Sequence, residues 1–239
     1  MKKITFRILG IIALILGAYY LYNVVSNILY SSESMNLFAQ VGKVALAWVA
    51  IYGGYQTIRL NASGKRLLLI YFMLIIFRIM LSFVTIAYAV IKAGENLLEL
   101  LQHSSFLAYE GYLLFSTIAT VLLLKNSTGV FETDIDTRHR KIVAKMLSQL
   151  MPGMGRAFLG NIRSGFALFL IYVILVSGHT YFSIGSIDLN SLGLLDIAFG
   201  LVVWKIFAGI DWEFVKTAER PPDGSSPSSP VLFSEPRGG

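Results

Sequence analysis

The sequence predicts an all-α, polytopic membrane bundle of six transmembrane helices plus one interfacial amphipathic helix. Three observations lead there. First, 55% of the 239 residues are hydrophobic and only 14% are charged, with a mean hydropathy of +0.66. A soluble domain is about 45–50% apolar and about 25% charged. Second, the apolar residues gather into blocks of roughly 20, the length that crosses a hydrocarbon core about 30 Å thick. The blocks are continuously apolar, without the alternation of a barrel strand, so they read as helices. Third, Lys and Arg are crowded into every second connection.

The first block spans about 7–28 and follows Met1-Lys2-Lys3. Its apolar run is longer than a signal-peptide core and ends in no small-x-small cleavage site, so it is expected to stay as an anchor. Further blocks cover about 37–58, 67–91, 104–124, 165–183 and 193–211. One set of connections is basic: Lys2, Lys3 and Arg7; Arg59, Lys65 and Arg66; the 125–164 stretch; and Lys216, Arg220 and Arg237 in the tail. In the alternate set, 29–36 and 184–192 have no Lys or Arg, and 92–103 has only Lys92. The positive-inside bias therefore puts both termini in the cytoplasm of a cell (inner) membrane.

Residues 139–160 are the exception among the hydrophobic stretches. A span there would carry Lys145, Gln149, Pro152 and Arg156, all costly or disruptive in lipid. Apolar residues recur instead as Ile142, Met146, Leu150 and Val143, Leu147, Met151, on one helical face. Arg140, Lys141, Lys145, Ser148 and Gln149 are expected on the other. Such a basic amphipathic helix suits either the anionic cytoplasmic leaflet or packing against its own bundle. After Glu219 the tail holds five of the six prolines and is expected to be disordered. The organisation is then a four-helix module (1–124), a cytoplasmic linker (125–141), an amphipathic helix with a two-helix membrane domain (142–218), and a tail (219–239).

The one local signature is Pro152-Gly153-Met154-Gly155-Arg156-Ala157-Phe158-Leu159-Gly160, followed by Gly165 and, much later, Gly209-Ile210-Asp211. Pro152-Gly153 should end the amphipathic helix, and Gly155 and Gly160 allow tight turns or close backbone approach. The P-loop spacing is absent, which argues against a nucleotide. The pattern over about 142–220 resembles the small two-transmembrane-helix membrane domain found widely in prokaryotes. That domain carries a P-G-x-G-Q-x-Y-x-G type turn and a helix closing on Asp. The resemblance implies a fold more than an activity, and marks Pro152, Gly153, Gly155, Gly160, Gly165 and Asp211 as the signature turn. Here Arg156 replaces the usual Gln, Phe158 the usual Tyr, and the gap between the last two helices is longer.

Ionisable residues inside spans are the best pointers to function in a membrane chain. Arg78 lies near the middle of the third block and Lys205 near the middle of the sixth. Glu110 lies about six residues into the fourth, roughly 9 Å from its outer end at 1.5 Å per residue. Arg78–Glu110 or Lys205–Glu110 is the expected pair, as an ion pair joining helices or as part of a polar pathway. Asp196 falls close to an outer end. His103, His139 and His179 show no metal-ligand spacing, and the acids of 132–136 lack the glycine and closing Glu of a calcium loop. Cysteine is absent, and no Gly-x-Ser-x-Gly elbow occurs. Asn61 and Asn126 sit in glycosylation patterns on the cytoplasmic side, where they are inert. Gly53-Gly54 should permit close helix packing.

No catalytic residue, cofactor or metal is expected from these residues, and no nucleic-acid partner despite a net charge of +6. The leading expectation is a non-enzymatic scaffold or accessory factor, with the lipid bilayer and an unidentified membrane protein as partners. The alternative is a small transporter or channel using Arg78, Glu110 and Lys205; a membrane-embedded lipid enzyme ranks third.

Overall fold

The computed structural model describes the backbone of residues 2–30, 37–92, 104–127, 129–132, 137–183 and 189–217. These form helices α1 (Lys2–Tyr30), α2 (Leu37–Ile58), α3 (Ala62–Lys92), α4 (Ser104–Lys125), α5 (Thr137–Leu150), α6 (Met154–Phe158), α7 (Ile162–Ser183) and α8 (Leu189–Thr217). The described chain is all-helical. Its one sheet-like feature is a single parallel bridge, Asn61 to Glu132. The tail 219–239, His103 and residues 133–136 lie outside the described residues, as do the side chains of His179 and Asp196.

Two helices are long and apolar enough to cross a membrane over Lys2–Leu29 and Ala62–Val84, and Ile162–Val176 is a shorter apolar stretch. Large apolar side chains point outward around the described helices: Ile8 and Tyr22 on α1, Phe115 on α4, Ile174 on α7 and Ile206 on α8 are all at least half exposed. Water would penalise so continuous an apolar surface. The interior, by contrast, is small and tightly packed.

Small residues set that packing. A Cβ on Gly10 would lie 2.7 Å from the Gly54 carbonyl oxygen, and one on Gly54 would lie 2.6 Å from that of Gly10. One turn-pair further along, a Cβ on Gly17 would meet the Ala47 oxygen at 2.9 Å. Gly53, next to Gly54, faces the other way, and its Cβ would press on Leu67 of α3 at 2.9 Å. The Gly53-Gly54 pair thus lets α2 pack closely on α1 and α3 at once, as small residues do in membrane interfaces.

The α2–α3 connection is tighter than the 59–66 stretch expected from sequence. Leu60 takes a left-handed φ of 60°, its N–H donates to Thr57 O at 2.9 Å, and Asn61 N–H donates to Gln56 O at 3.0 Å. This is a Schellman end with leucine in the position glycine usually takes. Ala62 then starts α3 at once. The linker folds back on this turn: Glu132 N–H donates to Leu60 O and Ala62 N–H to Glu132 O, at 2.8 and 2.9 Å.

The linker is also shorter than expected. Helix α5 begins at Thr137, so 137–141 belong to the amphipathic helix rather than to a 125–141 connection. Its buried face is Val143, Ala144, Leu147, Ser148 and Met151. Ser148 was expected on the polar face. It turns inward because its hydroxyl donates to Ala144 O at 3.1 Å, which satisfies it without water. Ile142 and Met146, expected on the same apolar face, are exposed beside Lys141 and Lys145.

The halves share one core. Buried Leu67, Leu68 and Tyr71 of α3 belong to the same cluster as Val143, Leu147, Phe158 and Val215, and Phe77 meets Phe169 edge-on at 5.8 Å. The four-helix and C-terminal segments are therefore packed together through α3.

Candidate functional site

The expected polar residues fall into two places. The first is a cleft of about 750 Å³ between α1 and α4, floored by α3 and reached by α2. Arg78 and Glu110 both line it, and so does Lys43. Lys205 does not line it; it is exposed on α8. The Lys205–Glu110 pairing is therefore corrected, because the helix carrying Lys205 contributes no residue to the cleft's described lining.

The Arg78–Glu110 pairing is corrected as well. Arg78 instead donates from Nη1 to the Tyr20 hydroxyl at 2.8 Å, and among the described residues no ion pair joins it to Glu110. Helix register explains this neighbourhood. Gly10 opposite Gly54 and Gly17 opposite Ala47 set α1 antiparallel to α2, which carries Lys43 to the level of Tyr20 and Leu21. Gly64 against Thr57 and Leu68 against Gly53 set α3 on α2 and carry Arg78 to the level of Lys43. Two cations and a phenol thus share one layer of the bundle.

The rest of the cleft is less polar than its composition suggests. Ser116 and Thr117 both donate to Leu113 O, at 3.0 and 2.6 Å, and Thr120 donates to Ser116 O at 2.8 Å. Their hydroxyls are spent on their own helix. On the floor, Tyr71 is fully buried, and its hydroxyl has no hydrogen-bond partner.

The second place is the signature turn, where the chain closes on Asp211. This carboxylate is fully buried. Its Oδ2 accepts the Gly155 backbone N–H at 3.1 Å, and Oδ1 accepts the Arg156 N–H at 3.2 Å. Arg156 Nε lies 3.2 Å from Oδ1, and Arg156 Nη2 donates to Ile210 O at 2.8 Å. The guanidinium also lies over Phe214, 4.5 Å from the ring centroid. An acid from α8 thus caps the short α6 across 55 residues of chain, satisfying N–H groups that a helix start leaves open.

Each signature glycine has a separate reason. Gly155 is where the carboxylate arrives: a Cβ would sit 2.9 Å from Asp211 Oδ2, 2.8 Å from Ala144 O and 2.0 Å from Ser148 Oγ. Gly153 has a φ of +92°, and its Cβ would strike Gly165 O at 2.2 Å; a Cβ on Gly165 would strike Gly153 O at 2.5 Å. Gly160 needs only its φ of +112°, with open space around it. Pro152 is buried at the end of α5. The junction is closed, and Asp211 takes up the Gly155 and Arg156 backbone N–H groups.

A third polar group was not anticipated. Asn61 Nδ2 donates to Gln56 Oε1 at 2.6 Å, Gln56 Nε2 donates to the Tyr52 hydroxyl at 2.8 Å, and that hydroxyl contacts His139 Nε2. This chain ties α2 to α5. The signal available in the sequence was weak: a tyrosine in an apolar block needs a partner for its hydroxyl, which applies equally to Tyr20, Tyr52 and Tyr71. Among the described residues no three His, Asp or Glu side chains converge.

Comparison with protein families, curated proteins and solved structures finds no match for this chain.

Proposed function

We propose that the chain is a six-span inner-membrane protein with both ends in the cytoplasm, acting as a non-enzymatic accessory factor. The observation that carries the membrane part is the outward apolar surface, which extends from α1 and α4 to α7 and α8. The alternating Lys and Arg content of the connections supports the orientation. The C-terminal portion, about 142–220, is taken as a two-helix membrane domain of the kind the signature resembles.

The accessory role is supported by α5. Its Val143–Met151 face is used internally, while Ile142 and Met146 remain exposed beside Lys141 and Lys145. A mixed basic and apolar strip held on the cytoplasmic side suits an anionic leaflet or a membrane-protein partner. Lys145 of that strip lies over the Trp212 ring of α8, 4.9 Å from its centroid, which ties the strip to α8. Native co-purification tests this reading: a partner should be recovered with the intact protein and lost on Ile142→Glu with Met146→Glu. A chain that always purifies alone contradicts it.

The cleft favours a second reading, a small transporter. Arg78, Lys43 and Glu110 bring charge into a cavity without neutralising one another. Solute or proton flux in proteoliposomes, abolished by Glu110→Gln, would establish it.

A further inference from the structure

We infer that the cleft between α1 and α4 is a binding site for a single-chain amphiphile with an anionic head. The inference rests on the membrane-spanning reading, because such a ligand enters sideways from the bilayer.

Charge comes first. Arg78 and Lys43 share a level of the bundle, and among the described residues Glu110 is the only acid lining the same cavity, so the described lining carries a net positive charge. Arg78 spends one N–H on a neutral phenol. A guanidinium held within a hydrocarbon layer without a counter-charge is costly, and an anion brought by a ligand removes that cost. A carboxylate or phosphate can bind it through two parallel N–H groups.

Tyr71 supplies the independent observation. It is fully buried at the cleft floor, and its hydroxyl lacks a partner. A buried hydroxyl left unmatched is unfavourable, and a polar atom of a ligand in the cleft that Tyr71 lines offers the partner that it lacks.

Shape and polarity set the remainder of the ligand. From the Arg78 level the cleft runs towards the cytoplasmic side along Leu16, Ile12 and Leu9 of α1. The facing wall of α4 has its hydroxyls bonded to its own carbonyls. This part accepts an alkyl chain and offers few free polar groups. A volume of about 750 Å³ lies within the range of small-ligand sites. The head therefore sits in the outer half, and the tail points inward.

The test uses the full chain in non-ionic detergent, with bound lipid read by native mass spectrometry. Palmitate, 1-palmitoyl lysophosphatidate and hexadecanol are the probes. One anionic amphiphile per chain should be retained, and hexadecanol should not. Retention of palmitate alone identifies the head as a carboxylate, and of lysophosphatidate alone as a phosphate; either supports the site. Arg78→Gln should lower retention about tenfold, the loss of one charge-assisted contact. Tyr71→Phe should lower it several-fold, without loss of folding since no internal bond is removed. Glu110→Gln should raise it. Equal retention of hexadecanol, retention of no probe, indifference to both Arg78→Gln and Tyr71→Phe, or a fall on Glu110→Gln would overturn the inference. Cysteine labelling of topology reads the spanning arrangement separately, so failure of the ligand site is distinguishable from failure of that arrangement.

Discussion

Arg78 donates to the Tyr20 hydroxyl at 2.8 Å, across the interface between the first and third helices, and forms no described ion pair with Glu110 in the same cleft. The nearest thing to a charge pair that composition suggests is thus replaced by a charge–phenol contact. Double-mutant cycles in detergent should separate the two. Arg78→Gln with Tyr20→Phe should show a coupling of about 1 kcal/mol, the scale of a hydrogen bond to a charged group in a partly exposed setting. Arg78→Gln with Glu110→Gln should be additive within about 0.5 kcal/mol. Coupling of the second pair above that would restore the ion pair.

Asp211 should be the most sensitive charged residue in the protein. It is fully buried and accepts two backbone N–H groups beside Arg156. Asp211→Asn presents an amide N–H₂ where an acceptor is needed and strips Arg156 of its counter-charge, for a loss of about 3 kcal/mol. Arg156→Gln leaves both backbone bonds intact and should cost about 1 kcal/mol. Unfolding followed by tryptophan fluorescence in detergent measures both, and equal losses would contradict the capping role given to the carboxylate.

Gly155→Ala should cost about 1–3 kcal/mol through overpacking. Its new methyl would meet Ser148 Oγ at 2.0 Å and Ala144 O at 2.8 Å. Adding Ser148→Ala removes the first clash and leaves the second, so rescue should be partial. Full rescue would mean the backbone at Ala144 yields freely.

Glycines elsewhere provide an internal control. Gly54→Ala and Gly10→Ala each place a methyl within 2.7 Å of a facing backbone oxygen, and should force α1 off α2 with similar losses of about 1–3 kcal/mol. Gly209, inside α8, has nothing within 4 Å of a new Cβ. Gly209→Ala should be neutral or stabilising by up to about 1 kcal/mol, the helix-propensity gain. Equal effects at Gly10 and Gly209 would deny the close approach of α1 and α2.

The helices were legible because their signal is local. Apolar runs bounded by Arg59, Lys65 or Lys125 are read from neighbours in sequence, and the described helices fall close to those bounds. The 59–61 turn was less so, since a left-handed Leu60 carries no glycine to announce it. The polar contacts were legible only in part. Gly153, Gly155 and Asp211 were singled out as a pattern, but their meeting depends on α8 returning to α6, which no local rule supplies. Charge and depth alone single out Arg78 and Glu110. Which phenol or cation lies beside each is set by helix register, and that depends on Gly10, Gly17 and Gly54 as small residues in a non-local interface. Ser148 differs for a similar reason: periodicity alone puts it on the polar face, whereas the space that receives it inside is opened by Gly155.

A bundle surrounded by lipid, with both ends on the cytoplasmic side, exposes its connections alternately on the two faces of the membrane. The chain has no native cysteine, so single cysteines at Ser32, Ser186 and Ser225 can be treated with an impermeant maleimide in intact cells. Labelling is expected at positions 32 and 186, and at 225 only after permeabilisation. Labelling at 225 in intact cells, or protection at both of the others, would contradict that arrangement.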